Sequence, residues 1–325
     1  MGSVILGTGS CLPERVLTNK ELEKTIDTTD EWIRTRTGIK ERHISGPGEY
    51  TYALASTAAE NALAMANIAA EEINLIIVAT ISSHMLMPST ACFVQQELGA
   101  SNAFAYDINA ACSGFVYGLD LADQYLTAGR EKKILVIGAE TLSSRVNWQD
   151  RNTCILFGDG AGAAIIGYSE DEDRGIVGTN LSSDGNLWKL LHMHTADSRN
   201  KDIRVQDWSD AHIVMEGREV FKHAVKAMED SVRGLLQNTG YDLDDIKLVI
   251  PHQANVRILN RLVERLELSS DRVFINASLY GNTSAASIPI ALDEANRGGR
   301  ITRNDLILFC SFGGGFTWGA SLIKW

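Results

Sequence analysis

The sequence has no surplus of positive charge: 30 Lys and Arg stand against 41 Asp and Glu, for a net charge of −11. A general nucleic-acid binder neutralises phosphates with a basic surface, so that class of function is excluded and any basic partner site must be local. There is no C-x-x-C pair either. The five cysteines, Cys11, Cys92, Cys112, Cys154 and Cys310, are odd in number and scattered. They give neither a disulfide framework nor metal-ligand spacing, and they match reduced, cytoplasmic usage. No apolar run reaches membrane-spanning length, and Met1-Gly2-Ser3-Val4 carries no basic leader, so an unanchored cytoplasmic protein is expected. The run Gly158-Asp159-Gly160-Ala161-Gly162-Ala163 lacks both the lysine of a phosphate loop and a helical pattern after it. A tight hairpin packed closely on its neighbours is expected there instead.

What is present is an alternation of periods. With 325 residues, 45% hydrophobic and 22% charged, the chain can bury a large core as two domains or one duplicated unit. Strand-length apolar runs are Val4 to Gly9, Leu75 to Thr80, Ala103 to Ile108 and Ile134 to Ala139. Helical spacing marks Thr18 to Ile26, Thr51 to Ala70, Pro88 to Leu98 and the stretch after Cys112. Asp30 is placed to cap a short helix. From about Asp171 to Asp210 the chain is polar and irregular, and His192-Met193-His194, with no carboxylate or thiolate to complete a metal site, reads as surface loop. Then the order returns, with a helix over Glu219 to Gln237 and a strand over Leu248 to Ile250. Ile275-Asn276-Ala277 echoes Ile108-Asn109-Ala110, and Leu306 to Phe309 echoes Ile134 to Ile137. An offset of roughly 170 residues is too long for a solenoid and indicates a duplicated α/β unit, with halves 1–170 and 171–325 in a layered α/β architecture.

Several residues carry chemistry. Cys112 sits where the chain turns from strand to helix, where unpaired N–H groups and the helix dipole favour a nucleophilic thiolate; the alternative is a small buried apolar residue. His252 follows a buried strand and Pro251, and Asn282 opens another helix as a catalytic amide or as a simple cap. All three are expected at strand-to-helix exits on what should be one edge of the duplicated sheets, where open α/β sheets place ligands. Phe312-Gly313-Gly314-Gly315-Phe316 would let backbone N–H groups reach an acyl oxygen, or would form a glycine-rich turn. Trp32 and Arg36, four apart on one helix face, suit a purine ring and a phosphate, or pair at the surface. Arg218, Lys222 and Lys226 make one basic stripe and Arg257, Arg261 and Arg265 another, for docking or for solvation.

Ala111-Cys112-Ser113-Gly114, Pro251-His252-Gln253-Ala254-Asn255, Gly281-Asn282-Thr283-Ser284 and Phe312-Gly313-Gly314-Gly315-Phe316-Thr317-Trp318-Gly319 together resemble the β-ketoacyl-acyl-carrier-protein synthase III family. The similarity runs over essentially the whole chain. It implies a thiolase-like αβαβα fold and the decarboxylative condensation of an acyl-CoA primer with malonyl-acyl carrier protein that starts bacterial type II fatty acid synthesis. By the same resemblance Cys112 is the nucleophile, and His252 with Asn282 stabilises the enolate. The N–H groups of Cys112 and Gly314 receive the acyl oxyanion. Thr28, Trp32, Arg36, Arg151 and Asn255 hold CoA, which is a substrate, and no metal or bound cofactor is implied. Lys222 and Arg257, extended along its stripe to Arg261, dock the acidic carrier. Met87 limits the acyl pocket of the partner subunit in a homodimer. Residues 191–210 fit the family pattern poorly. Two other readings stand beside it: an acyltransferase of specialised metabolism on the same fold and, from another class, a non-catalytic carrier-binding or scaffolding module.

Overall fold

The computed structural model describes residues 2–169, 171, 173–194 and 211–325. In chain order the first part has β1 (Gly2–Cys11), β2 (Val16–Thr18), α1 (Asn19–Leu22), α2 (Asp30–Thr37), β3 (Glu41–His43), α3 (Thr51–Ala66), β4 (Leu75–Ala79) and α4 (Thr90–Leu98). It continues through β5 (Phe104–Ile108), α5 (Gly114–Thr127), β6 (Lys133–Thr141) and β7 (Asp159–Ser169). The second part has β8 (Gly175–Ser183), β9 (Leu191–Met193), β10 (Ile213–Met215), α6 (Gly217–Thr239), β11 (Leu248–Pro251) and α7 (Val256–Arg265). It closes with α8 (Ala277–Tyr280), α9 (Ser287–Arg297), β12 (Leu306–Gly313) and β13 (Thr317–Lys324).

Two mixed sheets run in the same order. The first is β1-β7-β6-β4-β5 and the second β8-β13-β12-β11, with Val273 bridged in parallel to Val249 beside β11. In both, the first two pairings in that order are antiparallel and the rest parallel. Matched elements begin 173 residues apart: Gly2 and Gly175, Leu75 and Leu248, Gly114 and Ser287, Lys133 and Leu306. The elements stack in five layers. Helices α3 and α4 cover one sheet, α6 and α7 the other, and α5 with α9 lies between, where Phe115, Leu119, Ile288 and Leu292 meet Ile77, Val136, Ile250 and Phe309. Burial of such apolar side chains on both faces is what makes the strands read as continuous hydrophobic runs.

The layers come close because several facing positions lack side chains. The glycine run expected to form a hairpin is instead β7, an interior strand between β1 and β6. Its composition answers packing rather than turning: a Cβ on Gly162 would lie 2.6 Å from the Ile290 amide nitrogen of α9. Other expectations shift as well. Asp30 does not cap α2; Thr29 does, accepting the Trp32 N–H at 3.0 Å. The helix expected over Thr18 to Ile26 shrinks to α1. The supposedly irregular stretch after Asp171 contains β8, a half-exposed sheet-edge strand, and His192 belongs to β9, paired with β10 rather than looping at the surface. Ile275-Asn276-Ala277 is no strand; it leads into α8. β5 is an edge strand with Phe104 44% exposed, not a buried one. Most of the stretch expected to depart from the family pattern, residues 195–210, lies outside the described residues.

Gly138 of β6 faces the second half so closely that a Cβ there would stand 2.1 Å from the Ala285 carbonyl oxygen. Gly138→Ala should therefore lower stability by about 1–3 kcal/mol in urea unfolding. Gly185→Ala, where a Cβ meets nothing within 4 Å, should leave the midpoint unchanged.

Candidate active site

The Cys112 turn is built by backbone constraint. After β5, Ala111 adopts a left-handed backbone with φ of 46°, an uncommon state for a residue with a Cβ, and a single 3-10 turn over Ala111–Ser113 precedes α5. The β12–β13 hairpin is pressed against this turn. A Cβ on Gly313 would be 2.6 Å from the Cys112 nitrogen, so glycine is required for the approach. Two hydrogen bonds hold it: Thr317 Oγ1 donates to the Ala110 carbonyl at 2.7 Å, and Ser113 Oγ donates to the Thr317 carbonyl at 3.1 Å. The glycine-rich segment is thus a hairpin turn, and Gly314 at its tip lines the same cavity as Cys112.

Cys112 is 8% exposed and opens onto a cavity of about 1500 Å³. Its resting charge state differs from the thiolate expected from the sequence. Burial pushes the thiol up to about 12; the nearby Ser284 hydroxyl opposes this, the Glu140 charge adds to it, and the cysteine's own amide offsets only a little. Desolvation outweighs the helix end because the positive end of a helix dipole is worth far less than removing an anion from water. The resting group is the neutral thiol.

His252 leaves β11 with its N–H donated to the Cys310 carbonyl at 2.8 Å. Its ring is buried, which drops it to about 3, so the imidazole is neutral. Ser287 Oγ lies 2.7 Å from Nδ1 and accepts the Gln253 N–H at 3.2 Å. With that oxygen already accepting, the hydroxyl donates to Nδ1, which leaves the ring proton on Nε2. Asn282 is not at a strand exit. It sits between α8 and a 3-10 turn over Ser284–Ala286, clamped across the halves by Asn282 N–H to Leu156 carbonyl at 2.8 Å and Gly158 N–H to its own carbonyl at 3.0 Å. Its Oδ1 accepts the Ser284 N–H at 2.8 Å, so the amide NH2 remains to face the cavity. Both are donors to an oxygen.

Cys112, His252, Asn282 and Gly314 share one cavity with Trp32, Arg36, Asn255, Met87, Lys222 and Arg257. Thr28, Arg151 and Arg261 are not in its wall. Arg151 is nonetheless adjacent: its guanidinium lies 5.0 Å from the Trp32 ring centroid and that of Arg36 lies 4.2 Å away. The Thr28 hydroxyl is buried without a partner. Asn255 caps α7 and donates to the Arg36 carbonyl at 3.3 Å. The basic stripes are less bare than the sequence suggests. Lys222 pairs with Glu219 at 2.7 Å, Lys226 with Asp230 at 2.6 Å and Arg261 with Glu264 at 2.7 Å, while Arg265 turns inward to Glu229. Among the described residues Arg257 has no ion pair, and no group of three His, Cys, Asp or Glu could hold a metal.

Two buried polar residues near the sulfur were not anticipated, Glu140 and Ser284. Glu140 ends an apolar strand, and nothing local to it signals a site. Burial raises its carboxyl to about 7, against hydrogen bonds from Ser82, Ile81 and Thr80 and the nearby Ser284 hydroxyl. A carboxyl raised on folding stabilises the native chain in full below its unfolded value near 4.5, and that contribution is lost as pH rises through about 7. Between pH 5 and 8, Glu140→Gln should gain about 2–3 kcal/mol relative to the parent in urea unfolding; a constant difference would contradict the raised carboxyl.

Comparison with known proteins fits this geometry. Residues 106–185 match the family model described as 3-oxoacyl-[acyl-carrier-protein] synthase III, and residues 236–325 match its C-terminal model. A β-ketoacyl-[acyl-carrier-protein] synthase III from Desulfotalea psychrophila is 60% identical over 100% of both chains. The crystal structure of the 3-oxoacyl-[acyl-carrier-protein] synthase III from Aquifex aeolicus superposes with a TM-score of 0.93 at 51% identity, covering 100% of both chains. The priming β-ketosynthase of the R1128 polyketide pathway superposes with a TM-score of 0.92 at 36% identity, covering 99% of this chain and 96% of that one. With its thiolase-like layers and its Cys, His and Asn gathered at one cavity, the chain belongs to the β-ketoacyl-[acyl-carrier-protein] synthase III family.

Proposed function

We infer that the protein joins an acyl-CoA primer to malonyl-acyl carrier protein, releasing CoA and CO2 and leaving a 3-oxoacyl-carrier protein, the first condensation of type II fatty acid synthesis. The observation that carries this reading is the single cavity lined by Cys112, His252, Asn282 and Gly314. Cys112 attacks the primer thioester, and the developing oxyanion is received by the N–H groups of Cys112 and Gly314. CoA departs and the malonyl thioester takes its place. His252 Nε2–H and the Asn282 NH2 then donate to its carbonyl oxygen, so that the electrons left by CO2 are held as an enolate until carbon attacks the acyl-enzyme. A neutral imidazole suits this task because it donates without first having to be charged in a dry site. No metal or bound cofactor takes part.

Trp32, Arg36 and Arg151 would hold the CoA nucleotide, with Thr28 and Asn255 further along its arm. Lys222, Arg257 and Arg261 would dock the acidic carrier. The reading includes a cytoplasmic location and a homodimer, the latter supported by the edge position of β5 and by Leu86 and Met87, 80% and 83% exposed beside the cavity. Met87 would then close the partner's acyl pocket. It also divides the labour: residues 1–170 supply the nucleophile, and residues 171–325 the decarboxylating pair and the hairpin.

Incubation with acetyl-, branched and medium-chain acyl-CoA should add one acyl mass to Cys112, none to Cys112→Ala, and the loaded enzyme should release CO2 from malonyl-carrier protein. A cysteine left unmodified by the whole panel would sink the assignment. Trp32→Ala should raise KM for acyl-CoA about tenfold or more, since base stacking on an aromatic ring is worth about 1–3 kcal/mol, with kcat little changed. Raising salt from about 0.05 to about 0.5 M should raise KM for malonyl-carrier protein more than KM for acyl-CoA, because exposed charge pairs are screened over a shorter range.

A further inference from the structure

The carboxylate of Glu140 is fully buried at the end of β6 with no cation on it. It accepts from Ser82 Oγ at 2.5 Å, from the Ile81 N–H at 3.1 Å and from Thr80 Oγ1 at 3.2 Å. Across from it stands Ser284, whose 3-10 turn packs against both β6 and the Cys112 turn and whose side chain lines the Cys112 cavity. The Ser284 hydroxyl is buried, yet it forms no hydrogen bond of good geometry in the resting chain. Buried hydroxyls are ordinarily satisfied, and an exception asks for a reason.

The duplication sharpens the question. Ser284 is the counterpart of Ala111, 173 residues on, and both hold a left-handed backbone, with φ of 49° and 46°. Alanine therefore serves the turn as well as serine does, so the hydroxyl is not there for the backbone. We propose that Ser284 is a proton conduit: its hydroxyl takes the thiol proton as Cys112 attacks and passes its own proton to the Glu140 carboxylate.

In this step the Cys112 S–H bond breaks while the sulfur bonds to the acyl carbon, and Glu140 gains one proton by way of Ser284. The bond from the acyl carbon to the CoA sulfur then breaks, the electron pair leaving with CoA. The CoA thiolate recovers the proton from Glu140 through Ser284, which returns both side chains to their starting state. His252 is the poorer acceptor. Its Nδ1 is taken by Ser287, and at about 3 its ring holds a proton far less well than a carboxylate at about 7. Cys112 is the titratable group facing Glu140; the other side chains on the carboxylate, Thr80 and Ser82 from the end of β4 and Ser284 from its 3-10 turn, are neutral.

The proposal rests on the acyl-transfer reading above, and one experiment separates their failures. Single-turnover loading of Cys112 is followed across pH 6–8, about one unit either side of the Glu140 transition, using whichever acyl-CoA of the panel loads the parent fastest. The conduit requires a rate that climbs with pH through an inflection near 7, as Glu140 becomes a carboxylate able to accept. If Glu140 acted only through its charge, its ionisation would hold the sulfur proton more tightly, and the rate would level or fall. Glu140→Gln should lose the inflection, and both it and Ser284→Ala should slow loading about 100-fold. Where a variant does not fold, the parent's own pH profile decides. A level or falling parent profile, an inflection retained in Glu140→Gln, or Ser284→Ala loading at the parent rate overturns the conduit while leaving acyl transfer intact. A parent that loads no acyl group overturns both.

Discussion

The active centre exists because two pairs of backbones can touch. Gly138 lets the Ala285 carbonyl come against the first sheet, and Gly313 lets the hairpin reach the Cys112 amide. Neither approach survives a Cβ. Through the first contact the second half delivers Ser284, and just before it Asn282, to a sulfur carried by the first. Through the second contact Gly314 arrives beside that sulfur. The gathering of these residues at one cavity is thus a by-product of layer spacing, fixed by residues with no functional groups of their own.

Close packing also sets the charge states. A dry site favours neutral forms, and the main ionisable groups here move that way: the thiol and the carboxyl upward, the imidazole downward. Cys112 thus rests as a neutral thiol. The site keeps a histidine ready to donate rather than to accept, and it carries a carboxylate whose proton affinity lies near neutrality. Hydrogen bonds fix what solvation leaves open: Ser287 settles the imidazole tautomer and the Ser284 amide settles which end of Asn282 faces the cavity. Such fixed donors need no reorganisation when charge appears on an oxygen.

Much of this was legible in the sequence. Ordered motifs put Cys112, His252 and Asn282 in one site, the four-residue spacing of Trp32 and Arg36 placed both on one helix face, and strand-length apolar runs found most of the two sheets. What failed did so for tertiary reasons. Gly158 to Gly162 reads locally as a turn, yet Gly158 makes room for the Tyr280 carbonyl of α8 and Gly162 for the approach of α9 to β7. β8 has the mixed polarity of a half-exposed edge strand, which local composition does not tell from loop. The Cys112 charge state was misjudged because a helix terminus can be read from a sequence whereas dehydration cannot. Glu140 and Ser284 are far apart in the chain, and each looks ordinary where it stands.

The cavity that joins Trp32 to Cys112 has a kinetic consequence. If both thioesters approach along the same passage and converge on the same atoms, two long pantetheine arms cannot occupy it together. The sequence of events is then set by traffic rather than by affinity. The first carrier must vacate before the second can enter, the enzyme must hold the acyl group in the interval, and turnover takes the form of a double displacement in which each substrate competes with the other for an empty lane.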